Sequence, residues 1–244
     1  MAQTILRGGF ALALTLERRR AAHLLRRAGF GGAPDEIDAY ARLRFPAAVN
    51  RLVDYEQVPN DALDARVRQM ESELDMTKLA AIQAVWLQRM LATARPLQEK
   101  MVLFWHDHFA TGSSKVGRPE LMYDQNNFFR ANALAGYRDI LGGIARDPAM
   151  VRWLDGNTNR RASPNENFAR ELMELFTMGV GGGYTQNDVQ EGARAFTGWF
   201  LNADYQFTFN ARQHDAGEKT FLGKKGRWDG DDVLNIILQQ PVAA

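Results

Sequence analysis

The 244-residue sequence contains no cysteine, which excludes a disulfide scaffold, thiolate-ligated zinc or iron–sulfur, and a thiol nucleophile. Excess charge is missing too. With 30 Lys and Arg against 29 Asp and Glu the formal net charge is +1, so no global field calls for nucleic acid or an anionic membrane as partner. Long apolar runs are absent as well. The best, Gly9-Phe10-Ala11-Leu12-Ala13-Leu14, is too short to span a bilayer and is closely followed by Glu17-Arg18-Arg19-Arg20. A secretory signal needs a basic start and a small-residue cleavage site, whereas only Arg7 precedes the run and a charged amphipathic segment follows it. The run is therefore expected to be a first strand or helix of the fold, with no clear export signal.

What is present is helical periodicity. From Leu16 to about Leu201, apolar residues recur at three- and four-residue spacing, predicting helices over 17–28, 34–43, 46–55, 61–74, 78–94, 96–109, 120–133, 137–146 and 148–154. Short connections between them favour antiparallel neighbours. The fold class expected is mainly α: one helical domain over 1–244, an irregular multi-helix bundle with a small β-hairpin near the C-terminus.

Three punctuation signals refine this. Ser163-Pro164-Asn165-Glu166 combines a capping serine, a first-turn proline and a glutamate able to reach back to the cap, predicting a helix over 164–178 that Gly179 closes. Thr185 with Asp188 starts the next helix. The alternation Tyr205-Gln206-Phe207-Thr208-Phe209 reads as a strand, paired in this reading with Lys219-Thr220-Phe221-Leu222-Gly223 across a loop carrying His214 and Asp215. A last helix is expected over 231–240.

Asn165-Glu-Asn-Phe-Ala-Arg-Glu-Leu-Met-Glu-Leu-Phe-Thr-Met-Gly179, Gly183-Tyr-Thr-Gln186 and Ala193-Arg-Ala-Phe-Thr-Gly-Trp199 resemble a large bacterial family catalogued as domain of unknown function 1800. The stretches beginning at His23 and Glu99, and His214-Asp215 with Lys219 and Leu222-Gly223, resemble its other motifs. The resemblance implies a longer architecture of which this chain is the N-terminal half, a cell-envelope location, and sulfatase-like proteins as neighbours and candidate partners. It implies no reaction.

The candidate chemistry rests on few residues. A rotation of 100° per residue places Leu97, Met101, Phe104, Trp105 and His108 on one stripe of their helix, with His106 far round the axis. His108 is then the buried histidine, and His106 and Asp107 are solvated or interfacial. Glu171 lies at the edge of an apolar helix face, one turn after Asn167 and three residues before Glu174, where desolvation would raise its pKa. His214 and Asp215, with Lys219, form a polar group on a loop.

The expected site therefore has Glu171, His108, His214 and Asp215 as catalytic candidates and His108, Glu171 and His214 as ligands of a divalent metal. Each also has a structural reading: a hydrogen-bonded core histidine for His108, an ion pair with Arg170, Arg194 or another arginine for Glu171, and a local turn before Gly217 for Asp215. Two functions follow. One is a metal-dependent enzyme with a His/Glu pocket, which the surroundings of the family it resembles would make hydrolase-like, and the other a non-catalytic helical scaffold that docks a partner.

Overall fold

The computed structural model describes residues 15–243. The apolar run at Gly9–Leu14 lies outside them. Proline sets many of the helix starts, because its fixed φ suits the first turn and its missing N–H costs nothing there. It occupies that turn in α2 (Pro34–Ala41), α3 (Phe45–Val53), α6 (Pro96–His108), α8 (Pro119–Ala131) and α10 (Pro148–Trp153). The remaining helices of the first two thirds are α1 (Leu16–Arg27), α4 (Asp61–Glu73), α5 (Leu79–Ala92), the single turn α7 (Ser113–Val116) and α9 (Tyr137–Ile144). None is long and apolar enough to cross a membrane.

The principal core lies between α6, α8, α9 and the C-terminal elements, around Phe109, Phe129, Ile140, Met150, Leu172 and Phe221. A smaller one, centred on Leu25, Tyr40 and Leu52, joins α1, α2 and α3. Polar groups cross-brace the larger core. Glu99, 2% exposed, receives Nε and Nη2 of Arg130, and Arg130 also donates to Asn126 and Asn127. This fully partnered ion pair ties α6 to α8.

The central motif folds differently from its sequence signals. Ser163 pairs with Arg160 in an isolated bridge and caps nothing; the helix α11 (Asn167–Glu171) begins later, with the Asn167 N–H bonded to the Asn165 side chain. Glu166 does not reach back to a cap, since it pairs with Arg170 and Gln186. From Leu172 to Thr177 the chain continues as a π-helix, and Gly179 then leaves it at φ +78°. The capping box of Thr185 and Asp188 starts α12 (Gln186–Ala195) as predicted.

The strands form two hairpins. β1 (Trp199–Leu201) pairs with β2 (Phe207–Phe209), and β3 (Lys219–Phe221) with β4 (Lys224–Gly226), both antiparallel. The 205–209 alternation thus marked a strand whose partner is its own upstream neighbour. An Asp229–Asp232 capping box opens α13 (Gly230–Ile237). The molecule is mainly α with small β-hairpins near its C-terminus.

Candidate functional site

The buried face of α6 decides where its histidines go. Glu99, Val102 and Trp105 point inward, followed by Phe109 just past the helix end, while Phe104 is 49% exposed. The inward face is thus rotated from the stripe predicted above, and His106 belongs to it. Its ring lies 4.8 Å from both Trp86 and Phe129, and its Nε2 accepts from Asn126 Nδ2 at 3.0 Å. His106, expected to be solvated or interfacial, is instead packed between aromatic rings of neighbouring helices. Burial, reinforced by the Arg130 charge, pulls it down to about 4, so it is a neutral structural imidazole.

His108, the last residue of α6, faces the π-helix. Its Nε2 lies 3.1 Å from the Phe176 carbonyl and 3.1 Å from the Tyr137 hydroxyl, which itself donates to the same carbonyl. A carbonyl only accepts, so Nε2 carries a proton, which in the neutral ring leaves the lone pair on Nδ1. Burial holds the Tyr137 hydroxyl well above the usual phenol range and keeps it a donor. The π-helix supplies the acceptor. Its ladder closes through bonds such as Met178 N–H to Met173 carbonyl, and the Phe176 carbonyl, in the last turn, has no helical N–H to meet and accepts from side chains instead.

His108 and Glu171 line one cavity of about 730 Å³. Asp107, Lys115, Trp153 and Asn167 contribute further to its wall. Glu171 is half-buried, with its pKa raised by desolvation and by Glu174 and partly restored by Arg170. Arg170 is salt-bridged to Glu166 and to no other carboxylate among the described residues. The Lys115 ammonium bonds to Asp155 at 2.8 Å, and Asn167 donates to the same oxygen at 3.1 Å. Asp155 reaches both from a left-handed backbone, φ 58°.

His214 and Asp215 are not among the residues of this wall. The His214 Nδ1 donates to the Thr197 carbonyl at 2.9 Å. Asp215 accepts from Arg194 Nε at 2.8 Å and from the Gly217 N–H, which holds its carboxyl below the usual range, while its own N–H bonds to Thr197 Oγ1. Lys219, 1% exposed, ends on the carbonyls of Asp215 and Gly217. These bonds pin the 211–219 loop to the end of α12. Among the described residues no group of three His, Asp or Glu could hold a metal ion, so the ligand set His108, Glu171 and His214 is not assembled.

Sequence reasoning missed Tyr137, Lys115 and Trp153. A weak signal existed for Lys115, whose Gly-Ser-Ser-Lys-Val-Gly loop follows the His108 helix at once. Nothing local flagged Tyr137 or Trp153, which arrive from other helices. No curated protein and no solved structure matches the chain. A family model, described as protein of unknown function (DUF1800), matches residues 23–244, most of the chain, and the protein belongs to that family.

Proposed function

We propose that the cleft holding His108 and Glu171 is a hydrolytic acid–base site that works without a three-ligand metal centre. The observation that carries this reading is the Phe176 carbonyl on His108 Nε2, which leaves the Nδ1 lone pair as the proton acceptor of a residue lining the cavity. In the step proposed, Nδ1 takes a proton from water as the water oxygen attacks the substrate. The bond to the leaving group breaks, and Glu171, in its protonated form, gives that group its proton. A raised carboxyl pKa suits such a donor.

Turnover of p-nitrophenyl esters, anilides and glycosides by the full chain tests the reading. His108→Gln and Glu171→Gln should each lower kcat/KM by about 100-fold or more, with the helical circular dichroism intact. Turnover that either variant leaves unchanged, or no turnover of any of the three, would overturn it. The competing partner-docking reading then leads. It is favoured by Phe104 and Leu175, which are 49% and 59% exposed beside His108 and the cavity, and the family resemblance suggests a sulfatase-like protein as the partner to try.

A further inference from the structure

The cavity wall is specific about charge. Lys115 is its one Lys or Arg side chain, and that charge is already taken by Asp155. What remains is Asp107, whose carboxylate repels phosphate, sulfate and carboxylate ligands, and Glu171, which is uncharged in the acid role proposed above. A cationic ligand would be drawn to the acidic side of the wall but repelled at the Trp153 ring, where the Lys115 ammonium stands 5.7 Å from the centroid, a repulsion that a neutral ring does not meet. An extended peptide would look for a free strand edge, but the wall is built from helices and the loop between α6 and α7.

The wall offers something else to a neutral ligand. Trp153 is half-buried and held in place by the Gly112 backbone, where an added Cβ would lie 2.7 Å from the ring. Its indole N–H has no hydrogen-bond partner among the described residues. Leu154, Leu175 and Phe176 add apolar surface, while Asp107, Glu171 and the Asn167 side-chain carbonyl are acceptors. An aromatic plate beside hydroxyl acceptors matches a ring with an apolar C–H face and a hydroxyl edge, and the volume lies within the range of sites for small ligands.

We infer that the cleft binds a neutral glycan segment, one sugar ring lying against Trp153 with its hydroxyls directed to Asn167, Asp107 and Glu171. The inference rests on the cleft being the ligand site named under Proposed function, but it does not require the His108 proton transfer.

The test is saturation-transfer NMR and tryptophan-fluorescence titration of the full chain. The neutral probes are the tetrasaccharides of β-1,4-glucose, β-1,4-N-acetylglucosamine, β-1,4-mannose and α-1,4-glucose. A heparin tetrasaccharide and tetralysine serve as charged controls. At least one neutral probe should saturate, with Trp153→Ala weakening it about 10-fold or more and Trp153→Phe retaining part of the affinity. Three results would overturn the inference: no neutral probe saturating, a charged control binding more tightly than every neutral probe, or unchanged affinity in a folded Trp153→Ala. Glycan binding without His108-dependent hydrolysis would sink the acid–base reading alone. The converse, hydrolysis of esters or anilides without glycan binding, would sink this inference alone.

Discussion

His108 and Tyr137 converge on one acceptor, the carbonyl of Phe176, and that shared bond determines which imidazole nitrogen is free. Long-range proton–nitrogen correlation at neutral pH should find His108 in the Nε2–H tautomer. Tyr137→Phe removes one donor but leaves His108 on the carbonyl, so it should keep that tautomer while lowering stability by about 1 kcal/mol. A predominant Nδ1–H form in the wild type would contradict the geometry.

Removing one partner of the Glu99–Arg130 pair strands a buried charge. Glu99→Gln is expected to cost about 3–5 kcal/mol in urea unfolding, and Glu99→Leu combined with Arg130→Met should recover much of the loss. If the double variant is no better than the single one, the pair contributes more than mutual neutralisation.

Two buried groups drive the pH dependence in opposite directions. His106 is held down to about 4 against an unfolded value of 6.5, so its contribution is present above pH 6.5 and lost as pH falls toward 4. Asp147 is pushed up to about 6 by burial, against 3.8 unfolded, although the Met150 N–H and Gln125 stabilise its charged form. Its contribution is present below pH 3.8 and lost as pH rises through 6. Each spans about 3 kcal/mol, and between pH 4 and 6 they offset one another. Relative to wild type, Asp147→Asn should gain stability as pH rises across that window, and His106→Gln should lose it. Unfolding free energies at half-unit pH steps check both, and a pH-independent difference for either variant would refute its assignment.

Capping contrasts two neighbouring sites. Asn165→Ala should cost about 1 kcal/mol, because its side chain accepts from the Asn167 N–H and donates to Thr158 Oγ1. Ser163→Ala should stay within about 0.5 kcal/mol, since Ser163 is exposed and no side-chain bond ties it to another described residue. An Asn165→Ala midpoint no lower than that of wild type would show that the Asn165 side chain does not cap.

Local signals were legible wherever one residue type sets backbone geometry. First-turn prolines placed five helix starts, and Thr185 with Asp188 placed a sixth. Ser163 misled because the same pattern also suits a turn, and the Arg160 bridge claimed it. His106 turned inward alongside His108 because helical angles rank residues relative to one another without revealing where α8 and the π-helix pack. The Tyr205–Phe209 alternation announced a strand but could not name its partner. In the site, His108 was readable from its place on an apolar stripe and Glu171 from the edge of an apolar helix face. That they share a cavity while His214 bonds to Thr197 depends on contacts between residues far apart in the chain.

The π-helix makes the register of the central motif a one-residue matter. A π turn carries roughly one residue more than an α turn, so whatever follows it is rotated by about 100° from where an uninterrupted α-helix would put it. Deleting one residue between Leu172 and Thr177 would let the tighter ladder close, a gain in local regularity. It would also turn the Phe176 carbonyl by about 100° away from His108 and Tyr137 and so release both. At this point the chain gives up helical economy for an outward-facing acceptor, and a shortened motif should fold more tightly and hold its imidazole less well.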